Sequence, residues 1–251
     1  MGEEKHCPLC GGNGFIITER GAKKCRCIYE RFNLGKFLNI PKRFWDADIR
    51  KIRHNVSAET LHQIYTYLRD FKTFYREGVG LLLIGEQGVG KTYIVTAILK
   101  YLYQKYRIRG FFTDTKELSI KLRERFENGT HTELVEALAK VPVLVLDDLG
   151  NEVLTDWYRD ILVGLISKRY NEKKVTFVTT NFYPSFVVGK VENPSKGGVK
   201  IVDRSAVRFS SIPQERLLDS RFGSHVVSRL GEMTIPIVVK GIDKRLKKVV
   251  Y

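Results

Sequence analysis

Apolar residues recur along this chain in two alternating rhythms. Leu61, Ile64, Tyr65, Leu68, Phe71 and Tyr75 are spaced by three and four, which predicts one helix over 57–77 with a single apolar face. Ser57 can cap that helix, and Thr60 is a second candidate. Further on, short apolar runs at 81–84, 111–113, 143–147, 175–179 and 236–239 predict strands. Between them, 92–106, 116–128, 132–139, 157–170 and most of 215–229 have helical periodicity. The run at 143–147 is almost wholly apolar, as in a strand buried on both faces. Strands interleaved with helices of this length predict an α/β fold with a mostly parallel sheet and helices on both sides.

Two regions depart from that rhythm. Residues 1–38 form a short Cys- and Gly-rich module, followed by a link over 39–56 containing Pro41, Phe44 and Trp45, with the main domain over 57–251. Within the main domain, Gly189, Pro194, Gly197 and Gly198 precede short alternating runs at 199–202 and 206–212. That pattern predicts an inserted hairpin or loop over 184–213.

Charge adds a partner class. The 251 residues carry 43 Lys and Arg against 28 Asp and Glu, a formal +15. A balance so basic makes a polyanionic partner plausible without choosing among DNA, RNA, an acidic protein face and anionic lipid. No run approaches the roughly 18 apolar residues of a membrane helix, and the opening MGEEKHCPLC has no apolar core of a secretory signal. The expectation is a cytoplasmic protein with no membrane partner.

The strongest chemical signal is Gly85-Glu86-Gln87-Gly88-Val89-Gly90-Lys91-Thr92, a full G-x-x-x-x-G-K-[ST] match between a strand and a helix. Gly85, Gly88 and Gly90 let successive N–H groups curl around phosphate oxygens, and the helix N-terminus adds favourable charge. Lys91 is positioned for the β/γ-phosphates and Thr92 for Mg²⁺, with Val89 and Tyr93 completing the candidate nucleotide contacts. By itself this motif leaves ATP and GTP open.

The run Val143-Leu144-Val145-Leu146-Asp147-Asp148 ends in two carboxylates at the ligand edge of a parallel sheet. Asp147 is the candidate Mg²⁺ ligand. Asp148 is the candidate to orient or deprotonate an attacking water, with a turn cap as its plainer alternative. The strand at 175–179 ends in Thr180 and Asn181, candidates for touching the γ-phosphate or for an ordinary Asx turn.

All four cysteines fall in the first 27 residues. Cys7 and Cys10 form C-x₂-C, and Cys25 and Cys27 form C-x-C. Four thiolates favour one tetrahedral, closed, structural Zn²⁺, with free thiols as the main alternative.

Taken together, these residues resemble an AAA+ ATPase, specifically the DnaC/DnaI family of bacterial replicative helicase loaders and the similar IstB-type transposition ATPases. The resemblance rests on the cysteine module, Ile40-Pro41-Lys42-Arg43-Phe44, the phosphate loop, Leu146-Asp147-Asp148-Leu149-Gly150, Thr179-Thr180-Asn181 and the 222–230 segment. It implies ATP as the nucleotide, a five-stranded core sheet and Asn181 as sensor 1. It also implies Arg229 as an arginine finger reaching a neighbouring subunit, and Arg245 as sensor 2. It further implies an ATP-dependent oligomer, a DnaB-type replicative helicase hexamer as partner, met through the N-terminal module, and single-stranded DNA. The 116–128 helix, with Lys116, Lys121, Arg123, Arg125 and Phe126, is the candidate DNA contact, although interspersed Glu117, Glu124 and Glu127 also suit a solvated face. The alternative is an IstB-type ATPase acting on duplex DNA with a transposase.

Overall fold

The computed structural model describes residues 10, 15–19, 21–24, 33–54, 56–188 and 213–241. Cys7, Cys25, Cys27, Arg245 and most of the 184–213 segment (189–212) lie outside the described residues.

The described residues begin, after Cys10, with an antiparallel pair, β1 (Phe15–Thr18) and β2 (Gly21–Lys24), with Phe15 opposite Lys24. The helix α1 (Leu34–Phe37) and two 3₁₀ turns, Lys42–Phe44 and Ile49–His54, follow. Next come α2 (Ala58–Arg69), α3 (Phe71–Glu77), β3 (Gly80–Ile84), α4 (Lys91–Tyr106) and β4 (Gly110–Asp114). Then α5 (Thr115–Glu127), α6 (His131–Lys140), β5 (Val143–Asp147), α7 (Asp156–Asn171) and β6 (Val175–Thr180). The described chain finishes with α8 (Ser185–Val188), a 3₁₀ turn at Gln214–Arg216, α9 (Asp219–Phe222), α10 (Ser224–Met233) and β7 (Thr234–Val238).

The main sheet has five strands in the order β4-β5-β6-β3-β7, every neighbouring pair parallel. Strand side chains alternate between faces. Leu81, Leu83, Val143, Val145 and Phe177 therefore enter one core with α2, α3 and α4. Leu82, Ile84, Leu144, Leu146 and Val178 enter the other with α5, α6, α7 and α10. Burial on both faces is why β3 and β5 read as nearly continuous apolar runs, and β6 is buried throughout although it carries three threonines.

Three expectations are corrected. The single helix over 57–77 is two helices. Ser57 Oγ does accept from Thr60 N–H (3.2 Å) at the start, but Asp70, a weak helix-interior residue, ends α2 at φ −97° and ψ 13°. The bend brings Tyr67 and Phe71 into the same core, their ring centroids 5.9 Å apart. The 215–229 helix is likewise broken, at Gly223, whose φ of +80° is a left-handed value that glycine adopts without strain.

The third concerns 39–54, which does not hang between modules. Leu38, Ile40, Ala47 and Ile52 are buried in the first core. Phe112 N–H donates to Leu38 C=O, and Asn39 Nδ2 returns a bond to Phe112 C=O, stitching this segment to β4. Lys100 Nζ from α4 donates to Trp45 C=O and Ala47 C=O at 2.6 and 2.7 Å. Apolar residues spaced irregularly among Pro41, Lys42 and Arg43 hid this packing from periodicity.

Candidate nucleotide site

β3 lies between β6 and β7, so the next helix leaves the sheet at the point where the connections diverge, the usual ligand crevice of a parallel sheet. The loop leaving β3 is shaped by its glycines. A Cβ on Gly85 would stand 2.3 Å from Val239 C=O, and Gly88 and Gly90 hold φ of +77° and +104°. Val89 is buried in the core, which pins the loop. Gly90 then caps α4, so Lys91, Thr92 and Tyr93 form its first turn.

A cleft of about 690 Å³ opens here. Gly88, Gly90, Lys91, Thr92, Tyr93, Asp147 and Asp148 line it, so most of the residues singled out from sequence meet at one place. Gly85 and Val89 shape the loop instead of lining the cleft. Lys91 Nζ donates to Gly85 C=O (2.6 Å) and Glu86 C=O (2.8 Å), folding its ammonium back over the loop.

Asp147, at the end of β5, is buried and held on both oxygens. Thr179 Oγ1 donates to Oδ1 at 2.6 Å, and Thr92 Oγ1 to Oδ2 at 3.1 Å. Burial pushes its carboxyl up to about 6, against the hydroxyl bonds that favour the anion, and the nearby Asp148 and Asp114 charges push the same way. A divalent cation relieves that cost, and a hydroxyl beside a carboxylate is a hard oxygen pair suited to Mg²⁺. Thr92 and Asp147 therefore fit a Mg²⁺ that takes its remaining ligands from phosphate and water.

Asp148 sits at φ +62°, a left-handed conformation tolerated by Asp better than by bulkier residues. Its N–H donates to Thr179 Oγ1 (2.9 Å), fixing the turn to β6. One carboxylate oxygen accepts from Asn151 Nδ2 (2.5 Å), and the other lies 3.7 Å from Lys116 Nζ. Asn151 Nδ2 also donates to Asn181 Oδ1. Asn151 thus ties Asn181 to Asp148, although Asn181 does not itself line the cleft. Thr180 is fully buried, donating to Leu149 C=O and accepting from Phe182 N–H, so it is not a phosphate contact.

Sequence reasoning passed over several neighbours. Arg43, Phe44 and Asp46, from the segment expected as a link, line the cleft, as do Gln87, Asp114 and Thr179. Arg216 spans to the loop, bonding Glu86 at 2.9 and 3.0 Å and Asn181 C=O at 3.4 Å. The signals for these were the quoted runs that contain them, Lys42-Arg43-Phe44, the phosphate loop and Thr179-Thr180-Asn181; Asp46, Asp114 and Arg216 had none. Glu152, two per cent exposed, accepts from Thr115 Oγ1 and Gly150 N–H, and its burial raises its carboxyl.

A phosphate loop, a hydroxyl–carboxylate pair and this strand order together specify a nucleotide-binding α/β core. The family model described as IstB-like ATP binding protein matches residues 17–185. The chain belongs to that family.

Among solved structures, this family member is similar to a crystal structure of the DnaC helicase loader, with 35% identity and a TM-score of 0.61, covering 80% of this chain and 100% of that one. Among curated proteins it is 33% identical to the replicative helicase loader DnaI of Bacillus subtilis (strain 168), over 61% of this chain and 49% of the relative. It is also 32% identical to the insertion sequence IS1162 putative ATP-binding protein of Pseudomonas fluorescens, over 44% of this chain and 46% of the relative. The chain spans about half the length of the curated relatives it matches.

Of the α5 candidates, Lys116 lines the cleft beside Asp148, whereas the rest of that helix and Arg229 stand apart from it. Arg229, on α10, donates to Ser167 Oγ of α7 at 2.7 Å and does not line the cleft of its own chain. On α5, Arg123 and Arg125 are exposed, Lys121 pairs with Glu117 at 2.8 Å, and Phe126 packs its edge against Trp157. Of the cysteines, only Cys10 is among the described residues, so the zinc set is not tested by geometry. No described helix is long and apolar enough to cross a membrane.

Proposed function

We propose that this protein is an ATP-dependent helicase loader, binding a replicative helicase hexamer and single-stranded DNA and delivering the one to the other. The observation carrying this reading is the match to the DnaC loader structure at 35% identity, over 80% of this chain and all of that one. The DnaI relative matches more of this chain than the insertion-sequence protein does, 61% against 44%, which favours the loader over the transposition ATPase.

In this reading ATP enters the cleft with its phosphates in the Gly88–Lys91 cradle. Lys91 exchanges its carbonyl partners Gly85 and Glu86 for the β/γ-phosphates. Mg²⁺, held by Thr92 and Asp147, supplies charge neutralisation at the phosphates. Asp148 orients the attacking water and accepts its proton. For that its oxygens must turn from Asn151 and Lys116 toward the water. Asn181, its Oδ1 occupied by Asn151, presents its Nδ2 as a donor for the γ-phosphate side. Arg229 completes the site of a neighbouring subunit, and Arg245 acts within its own chain, so turnover requires an ATP-dependent oligomer. The α5 cations contact single-stranded DNA. Cys7, Cys10, Cys25 and Cys27 hold one structural Zn²⁺ that organises the helicase-facing module, since so short a segment has little core of its own. The protein acts in the bacterial cytoplasm.

Native mass spectrometry with an ATP analogue, single-stranded DNA and the helicase hexamer tests the reading. A stoichiometric, nucleotide-dependent complex with the helicase is expected. Assembly on duplex DNA without helicase binding would overturn it in favour of the transposition ATPase. Metal analysis of anaerobically purified protein is expected to find one zinc per chain, and zinc-free protein would remove the metal from the proposal.

A further inference from the structure

α4 begins at the phosphate loop and ends at Tyr106, 16 residues away, or about 24 Å at 1.5 Å per residue. Its far end carries a surface that the nucleotide chemistry does not use. Three stretches free of acidic residues, 36–37, 71–76 and 105–109, come together there. Phe71 stacks on Tyr106 at 5.3 Å and 29° and tilts against Tyr75 at 5.6 Å, while Phe37 meets Tyr103, one turn before the end of α4, at 5.3 Å.

Cations lie among these rings. Lys105 Nζ sits 5.3 and 5.1 Å from the ring centroids of Tyr101 and Tyr106. Arg107 lies 5.7 Å from Tyr103, and Arg109 5.3 Å from Phe37. Lys72 and Arg76 flank a shallow cleft of about 480 Å³ floored by Phe71 and walled by Tyr75, Tyr106 and Ile108. Lys72, Arg76, Lys105, Arg107 and Arg109 are all exposed, and among the described residues none pairs with a carboxylate. The nearest acids in sequence are engaged elsewhere, Asp70 with Arg69 and Glu77 with Lys173.

Exposed cations alone are ordinary solvated surface. Here two of them, Lys72 and Arg76, edge a largely aromatic cleft with no carboxylate in its lining, and Lys105, Arg107 and Arg109 lie over neighbouring rings. That pairing suits a ligand that is a polyanion and also offers flat rings to stack, which distinguishes single-stranded nucleic acid from an acidic protein face. We infer that this basic, aromatic surface at the far end of α4 is a second binding site for single-stranded nucleic acid, separate from the nucleotide cleft and from α5. Each chain carries the whole surface, so the binding needs neither ATP nor an oligomer. The inference does not rest on the loader reading.

The test is fluorescence polarisation of the full chain with a labelled oligo-dT of about 20 nucleotides, without ATP, across a salt series. The variant Lys72→Glu/Arg76→Glu/Lys105→Glu/Arg107→Glu is expected to weaken binding at least about 10-fold and to flatten the slope of log affinity against log salt by about two or more. Its affinity for an ATP analogue and its circular dichroism should stay as in the parent. If that variant folds poorly, Lys72→Gln/Arg76→Gln is read for the same direction of change. Tyr75→Ser should weaken oligo-dT and leave an abasic strand of equal charge unaffected.

Parental affinity in the charge variants would overturn the site. So would an abasic strand or polyglutamate that binds as tightly as oligo-dT, the latter pointing to an acidic protein. Complete loss of ATP-free binding in Lys121→Ala/Arg123→Ala/Arg125→Ala would place the strand on α5 and overturn this second site. Failure of the loader reading shows separately, as absence of a helicase complex in the native mass spectra.

Discussion

The two ends of the central sheet solve opposite problems. At the carboxyl end, polar groups are buried or half-buried and held by named partners: buried Asp147 by Thr92 and Thr179, buried Lys91 by two carbonyls, and half-buried Asp148 by Asn151 and Lys116. At the far end of α4, the charges are exposed and lean on rings instead. A buried polar group without a partner costs several kcal/mol, so the first end is over-determined and intolerant of change. An exposed cation costs almost nothing to keep, so the second end can gain or lose charge with little effect on the fold.

The sharpest test of that contrast is Arg169, a fully buried cation at the amino end of the sheet, where β5 and β6 begin, because there too a buried charge is held by named partners. It donates to Thr176 Oγ1 and to the carbonyls of Leu138, Ala139, Val141 and Val175, closing the end of α6 and tying it to β6. Arg169→Leu should destabilise the protein by about 4 kcal/mol, because it orphans several buried carbonyls at once. Denaturant melts read this directly, and a loss below about 1 kcal/mol would show that buried polarity here is less over-determined than the hydrogen bonds imply.

Next in size are the catalytic positions. Asp148→Asn should lower turnover about 100-fold with ATP-analogue affinity unchanged, since it removes proton acceptance and leaves the phosphate cradle. Lys91→Ala should weaken nucleotide binding about 100-fold, measured by titration with a fluorescent analogue, because a desolvated charge pair is lost.

Asp147 sharpens the comparison through pH. Its carboxyl is raised to about 6, so the folded state binds the proton more tightly than the unfolded chain, where an Asp titrates near 3.8. Its protonated form favours the fold below about pH 4. That contribution is lost as pH rises through about 6, and the buried anion is a cost at neutral pH. Asp147→Asn should therefore stabilise the nucleotide-free protein by about 2 kcal/mol at pH 8, with little gain at pH 4, while abolishing the Mg²⁺ dependence of nucleotide binding. Melting curves at the two pH values check the sign. The smallest effect belongs to the far surface, where Arg109→Ser should change stability by less than about 0.5 kcal/mol.

Much of this was legible in the residues alone. The apolar runs at 81–84 and 143–147 and the β-branched and aromatic run at 175–179 found strands that are buried on both faces, and the Gly85–Thr92 motif found the loop, because both depend on local sequence. The breaks at Asp70 and Gly223 were missed because an apolar stripe continues across them while the backbone does not. Asn151 and Arg216 were missed because nothing about a lone Asn or Arg signals its partner; each acquires meaning only when Asp148, Asn181 or Glu86 arrives from elsewhere in the chain.

The division has a physical basis. Sequence by itself determined the alternation of strand and helix, the parallel sheet and the phosphate cradle, since side-chain period and glycine spacing are properties of neighbouring residues. Tertiary structure alone decided that 39–54 packs on α4 and β4 and supplies Arg43, Phe44 and Asp46 to the cleft. It alone gathered Phe37, Phe71 and the end of α4 into one cationic, aromatic surface. Those are encounters between segments far apart in the chain, fixed by which faces must be buried together and by which buried polar groups must find partners.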